Sequence, residues 1–342
     1  MTTVTIEDLT PDSADVGVAA HYGDPVREQR LLETAVGLVD RSNRDVLAVP
    51  GEERASWLHT LTTQHLTDLR AGQASELMVL SPNGHVEQHA FITEDGTTAW
   101  LDTEPGAGAG LLKYLEMMRF FSKVEPRDAS AERDVWSLVG PGAADLFPEL
   151  GAPRLVPVPG AKFAAGSVPA EPTALYAASE VNGMLVRRVP LGVDLLVPHG
   201  QVPDLDVPRA GLWAYEAMRV AHRIPRLGWE TDHRTIPAEA GFLAQAVHLD
   251  KGCYRGQETV ARVHHLGRPP RRLALLHLDG VATDQPPAHG TEVTLDGRPI
   301  GFVGTAVRHH ELGMIALAVL KRNVPDDARL LIGESAAAID PA

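Results

Sequence analysis

The sequence predicts an α+β protein, with antiparallel sheets flanked by helices and a small β-barrel at the C-terminal end. Three observations predict it. Strand-like runs Glu76–Leu80, Val86–Thr93 and Thr98–Leu101 are separated by Pro82-Asn83-Gly84 and Asp95-Gly96, the turn chemistry of an antiparallel meander. Beyond the stiff joint Pro269-Pro270, five or six short strands fall within about 70 residues, and closing them into a barrel removes their exposed edges. The length, 342 residues, exceeds what one core usually serves, so two or three structural units are expected.

The elements follow in chain order. Residues 1–22 show no apolar period and are expected to form a loosely packed leader, with order beginning near Arg27. Residues 23–268 are read as the body, two interleaved lobes with one centred on 50–130. Within it, Glu52 to His65 reads as a helix with acidic residues in its first turn and Trp57, Leu58 and Leu61 on one face, the apolar pattern continuing through Leu66 and Leu69. The run Pro105-Gly106-Ala107-Gly108-Ala109-Gly110 precedes a helix from about Leu111 to Phe121. Its spacing is not that of a dinucleotide or P-loop motif, so a flexible turn is favoured over an anion cradle. A strand, Val135–Val139, leads through Gly140-Pro141-Gly142 to a short helical piece, Ala143–Leu150, and Pro- and Ala-rich sequence from Gly151 to Pro172 marks a loop or lobe boundary. Strands Ala174–Ala178 and Met184–Val189 are joined through Asn182-Gly183. Leu212, Tyr215, Met218 and Ala221 then mark one helix face, with Arg219, His222 and Arg223 elsewhere on the cylinder and Pro225 ending it. The barrel, 269–342, is expected from strands Leu273–Leu278, Thr291–Leu295, Ile300–Val307, Met314–Val319 and Leu330–Ile332, with Asp296-Gly297 a two-residue hairpin turn.

Composition narrows the function. A net charge of −14 repels phosphate backbones, so general nucleic-acid binding is not expected. No run approaches the roughly 20 apolar residues of a membrane helix and the start lacks an apolar signal core, so a soluble cytoplasmic protein is expected. One cysteine makes no internal disulfide. Fifteen histidines raise the question of a metal, but the pairs His264-His265 and His309-His310 are adjacent, which on strands turns their side chains to opposite faces, so no metal site is expected.

The chemistry concentrates at Lys251-Gly252-Cys253-Tyr254-Arg255-Gly256-Gln257-Glu258. A thiol reacts as the thiolate, and Lys251, Arg255 and Arg262 would lower its pKa if they approached it in the fold. Gly252 and Gly256 carry no Cβ, which permits positive φ or close approach of a ligand. Lone cysteines in apolar runs are usually small core residues, whereas these neighbours are charged, polar or glycine, which favours a functional thiol at Cys253. Downstream, Arg262, His264, His265, Arg268, Arg271 and Arg272 form a dense basic cluster, either a solvated face or a receiver for a polyanion.

This motif resembles the Lys-Gly-Cys-Tyr-x-Gly-Gln-Glu signature of the folate-binding YgfZ proteins, relatives of the glycine-cleavage T-protein (aminomethyltransferase). The resemblance extends through Met218 to Arg226, Thr235-Ile236-Pro237-Ala238-Glu239-Ala240-Gly241 and Arg271-Arg272-Leu273, and is strong over 211–275. Trp57 to Gly72 resembles the superfamily's Thr-Asn-Asp helix and turn, with Thr63-Gln64-His65 in its place, and Ala221-His222 stands where the family has Glu-Ala. The resemblance implies a T-protein-like body, tetrahydrofolate as cofactor, iron-sulfur client proteins including tRNA-modifying enzymes, and Cys253 as the reactive group, either a nucleophile or a transient iron-sulfur ligand. It places Asp194 and Glu239 near the cofactor and gives Arg262, Arg271 and Arg272 the glutamate tail. A true aminomethyltransferase and a non-catalytic folate-binding scaffold are the alternatives. Where T-proteins resemble one another at Gly-Gly-x-x-Asp-Asp, this chain has Asn83-Gly84-His85-Val86-Glu87-Gln88, and Glu87 alone keeps a carboxylate.

Overall fold

Alternating apolar positions between 73 and 103 draw three strands together: Gln73–Leu80, Val86–Glu94 and Thr98–Thr103 pair antiparallel in sequence order. Asp45–Pro50 and then Arg127–Asp128 add beyond them. The helices Arg54–Leu61 and Gly108–Met117 cover one face of this half, burying Leu58, Leu61, Leu111 and Leu115 against Leu77, Ile92 and Leu101. The second half runs Arg209–Ala210, Gly37–Asp40, Arg133–Val139, Gly192–Pro198, Met184–Val189 and Tyr176–Val181, and the last of these pairs with Gln73–Leu80 to make one eleven-stranded sheet. The short pairing of Arg209–Ala210 with Gly37–Asp40 is the parallel one. The computed structural model describes residues 3–10, 13–150, 175–266, 268–280 and 285–341, so the boundary read at Gly151 to Pro172 lies outside the described residues.

The barrel closes in the order Arg271–Leu278, Gly313–Lys321, Arg298–His309, Glu292–Leu295, Arg329–Ile332, Ser335–Ile339 and back to the first. Both faces of its long strands are apolar because both are buried. Leu276, Ala316 and Ala318 fill the interior, while Leu275, Ile315 and Leu317 turn outward against Val220 of the helix Leu212–Ala221. Asp296 and Gly297, with φ of 51° and 74°, form the expected hairpin turn, as Asn182 and Gly183 do at 52° and 79°.

Several local expectations are corrected. The segment before Arg27 is packed, not loose: Val4–Thr5 pairs with Ala19–His21, and Ile6, Val18 and Ala20 are buried against Leu32, Leu212 and Met218. Its apolar residues are too sparse to show a period, and several of their partners lie some two hundred positions away. The glycine-rich run starts the helix Gly108–Met117 three residues early, since Asp45 Oδ2 accepts from Gly108 N at 2.7 Å. The chain's own carboxylate thus occupies that helix N-terminus. His264 and His265 lie on the helix Gln257–Leu266 and not on a strand.

Candidate functional site

On the half-sheet 73–103 the face turned away from the helices is also largely buried, and it carries polar side chains among apolar ones. Glu76, His89, Phe91, Thr93 and Asp102 share this face, with Glu76 opposite Phe91 and Met78 opposite His89 in the ladder. Glu76, His89 and Phe91 look onto a cleft completed by Asp194 from the second half-sheet, Arg41, Tyr215 and Arg219, and the loops carrying Pro225, Arg226 and Phe242. His89 Nε2 contacts Glu76 Oε2 at 2.8 Å, and the Tyr176 hydroxyl donates to the other Glu76 oxygen. Burial first, then the adjacent Glu76 charge, pushes Tyr176 well above the ordinary phenol range, so it stays a donor. The His89 ring stands 4.8 Å from Phe242 and 5.7 Å from Phe91. The result is a carboxylate–imidazole pair between two aromatic walls.

Behind it runs a chain of buried ion pairs. Asp194 Oδ2 holds Arg187 at 2.8 Å, and Arg187 also binds Asp102, which meets Arg44 Nε at 3.0 Å. Arg44 reaches Glu104 at 2.7 Å, Glu104 reaches Arg226 at 2.8 Å, and Arg226 joins Asp15 and Glu216. Glu216 in turn holds Arg219 at 2.6 Å, which also meets Glu230 at 3.1 Å. Burial pushes the Glu104 carboxyl up, but Arg226 and Arg44 outweigh it and hold the group well below the usual carboxylate range. Such a network fixes geometry because removing any one member strands a buried charge. Asp194 lines the cleft, with Oδ1 accepting from Ser137 Oγ at 2.6 Å and Oδ2 from Arg187.

The other predicted cofactor contacts lie away from this cleft. Glu239 bonds the Ile236 amide at the start of the short helix Pro237–Ala240 and takes Arg271 at 2.8 Å, and Arg271 also grips Asp232 at 2.7 Å. Arg272 pairs with Asp326, and Arg262 with Glu258 along the exposed side of its helix. None of these residues, nor the exposed Arg268, lines the cleft. The basic run is dense in sequence, but its cations are spread over a helix and the barrel entrance, where carboxylates meet them.

The cysteine loop lies beside this cleft. Cys253 is exposed. Lys251 turns inward, its Nζ donating to the carbonyls of His59, Thr62 (2.6 Å) and Gln64 (2.9 Å), where it closes the C-terminal end of the helix Arg54–Leu61. Burial lowers this ammonium to about 8. Arg255 pairs with Glu87 at 3.1 Å. The three cations expected to activate the thiol are therefore committed to other partners. Gly256 is required for space: at φ 82°, a Cβ there would lie 2.6 Å from Ser81 O and 2.8 Å from Gly84 Cα. Gly252 has open space around its Cβ position. Gln257 Nε2 donates to Lys251 O at 3.0 Å and closes the loop. Tyr254 packs in one apolar cluster with Met78, Val260 and the cleft wall Phe242, so cleft and loop share a core.

Sequence reasoning missed Glu76, His89, Phe91, Tyr215 and Phe242 as cleft residues, and it missed His59, His65 and His248, whose rings stand 4.8 and 5.1 Å apart beside Lys251. The first three sit on strands, and only the burial of both sheet faces shows that theirs is interior.

No family model matches the chain. Its fold is that of aminomethyltransferase T of the glycine cleavage system from Bartonella henselae, with a TM-score of 0.75 over 96% of this chain and 92% of that one at 17% identity. In sequence it is 27% identical to the Geobacillus kaustophilus aminomethyltransferase, over 87% of this chain and 82% of that protein. It is 26% identical to a chloroplastic Arabidopsis thaliana protein provisionally named a transferase, over 83% of this chain, and 26% identical to an Aspergillus clavatus mitochondrial homologue of the iron-sulfur cluster assembly factor IBA57, over 78%. The chain spans 65% and 63% of the length of the last two. The chain is thus similar in sequence to proteins named aminomethyltransferase and shares the fold of one of them. Among the described residues, no helix is long and apolar enough to cross a membrane.

Proposed function

We propose that the protein binds reduced folate in the central cleft and supports iron-sulfur cluster assembly or repair in client enzymes, with Cys253 as its reactive group. The observation that carries the reading is the buried carboxylate–imidazole pair between aromatic rings. A pterin is a flat heterocycle whose donor edge asks for a carboxylate and whose faces ask for aromatic or apolar walls. Glu76 with His89 supplies the first, and Phe91, Tyr215 and Phe242 supply the second. The donor set fits; the space must widen. The cavity within the cleft is only about 50 Å³, too small for a pterin. Folate entry then moves Phe242 and, through the cluster it shares with Tyr254, the loop bearing Cys253. The bound folate would supply a one-carbon carrier, while the chain's residues orient it and exclude water.

Aminomethyl transfer is the second reading, favoured by the relatives that carry that name. Against it stands Glu87, 41% exposed and held by Arg255, so that no acid from Asn83 to Gln88 enters the cleft. Tetrahydrofolate titrated into the purified protein should saturate at one equivalent, and Glu76→Gln should weaken it by about tenfold or more, the loss of a charged hydrogen-bond acceptor. Cys253→Ser should bind folate normally yet fail to restore iron-sulfur enzymes in cells lacking this protein. Absence of folate binding overturns the cleft assignment. Full rescue by the serine variant removes the thiol from the function, and ammonia release from an aminomethylated lipoyl carrier makes the protein a transferase.

A further inference from the structure

Where the helix Pro25–Thr34 meets the barrel, three side chains converge that neither the cleft nor the cysteine loop uses. Glu33 lies in the last turn of that helix, and His310 and Glu311 lie in the turn between the strands Arg298–His309 and Gly313–Lys321. A carboxylate oxygen from each glutamate and a ring nitrogen of His310 all lie within 4.8 Å of one another. His310 Nε2 is 2.8 Å from Glu33 Oε2, yet the contact is off the direction of a hydrogen bond, and neither ring nitrogen has a hydrogen-bond partner although the side chain is only 1% exposed. Native proteins rarely bury an imidazole in this state without a ligand for it.

The charge balance points the same way. Glu33 sits at the negative end of its helix, no basic residue stands in the same turn, and a second carboxylate, Glu311, faces it. Two acids at a helix C-terminus are unfavourable unless a cation joins them. The surroundings hold the groups in position. Gln29, one turn before Glu33 on the same helix face, donates from Nε2 to Arg308 O at 3.0 Å and accepts from His310 N at 2.8 Å, clamping helix and turn together beside the imidazole. His309 takes the Glu311 and Leu312 amides on Nδ1 at 3.2 Å each, which fixes the turn that presents Glu311. The two histidine rings, expected on opposite faces of a strand, stack at 4.7 Å because the strand ends at His309 and His310 begins the turn.

We infer that Glu33, His310 and Glu311 bind a divalent first-row transition ion, Zn²⁺ being the best-suited probe. One imidazole with two carboxylates is a mixed nitrogen and oxygen set that suits zinc, whereas magnesium prefers oxygen ligands in an octahedron. With three protein ligands and both glutamates exposed, a further coordination position opens to solvent. The ion would join the first long helix of the body to a barrel hairpin.

Zn²⁺ titrated calorimetrically into the full chain with magnesium in excess should bind at one ion per chain. Substituting Co²⁺ should give the visible ligand-field bands of a nitrogen- and oxygen-ligated ion. Glu33→Gln and Glu311→Gln, which keep shape and remove charge, should each lower Zn²⁺ affinity by about tenfold or more. Replacing His264 and His265 by Asn, away from the site, should leave it unchanged. His310→Asn should abolish the Co²⁺ bands; should that variant unfold, the two glutamine variants decide. No stoichiometric binding, or binding that survives both glutamate changes in proteins folded by circular dichroism, overturns the assignment.

Discussion

An ammonium ion has three protons to give, and at Lys251 three carbonyls take them. No neutral side chain of similar length can replace that. Lys251→Met should cost about 2 kcal/mol, the desolvation of carbonyls left without donors, and should shift the urea midpoint down accordingly. Because the ammonium faces the carbonyls and not the thiol, alkylation of Cys253 in the folded variant should keep its rate. A large slowing would restore Lys251 as the activator of the thiol. His59 lies against the same lysine. Burial first, and Lys251 second, bring its imidazole down to about 4. Between there and the ordinary value of about 6.5 the unfolded chain carries a proton that the folded chain lacks, so stability should fall as pH drops through 6.5 towards 4. The slope of melting temperature against pH in this window should flatten in His59→Gln. The eight-residue motif around Cys253 was plain in the sequence, but where Lys251 and Arg255 point was not, since the carbonyls of residues 59–64 and the carboxylate of Glu87 reach them only through the fold.

At the scale of elements, periodicity and turn chemistry carried most of the reading. The strands at Gln73–Leu80, Val86–Glu94 and Met184–Val189 and the turns at Asn182-Gly183 and Asp296-Gly297 appear where alternation and glycine put them. What local sequence could not show was capping by distant residues. Asp45 belongs to a strand, yet it holds the first turn of Gly108–Met117. Asp45→Ala should therefore destabilise the protein by about 1 kcal/mol, while Asp45→Asn, which keeps an acceptor, should lose less. Equal losses in urea melts would mean that the carboxylate acts through charge instead. The leader was misread for a related reason: Ile6, Val18 and Ala20 find their partners near residue 215, and no window of neighbouring residues contains both. The sixth barrel strand, Ser335–Ile339, is not assigned from the sequence because its alternation of small residues carries little apolar contrast.

At the scale of the molecule, the T-protein-like body with its terminal barrel follows from resemblance and from strand counting, while the cleft does not. Its walls come from positions 41, 76, 89, 194, 215, 226 and 242, brought together by a sheet whose two halves share one narrow ladder, Tyr176 against Ala74 and Ala177 against Gln73. That sheet also sets an order of events on the ribosome. Residues 45–128 contain every strand of one half and most of its core, so this half can close soon after Asp128 leaves the exit tunnel. Gly37–Asp40 is made earlier but belongs to the other half, and its two ladder neighbours are Arg133–Val139 and Arg209–Ala210. The first strand of the great sheet to be synthesised is thus among the last to be flanked on both sides, and a nascent chain carries it open-edged through most of translation, where a chaperone would find it.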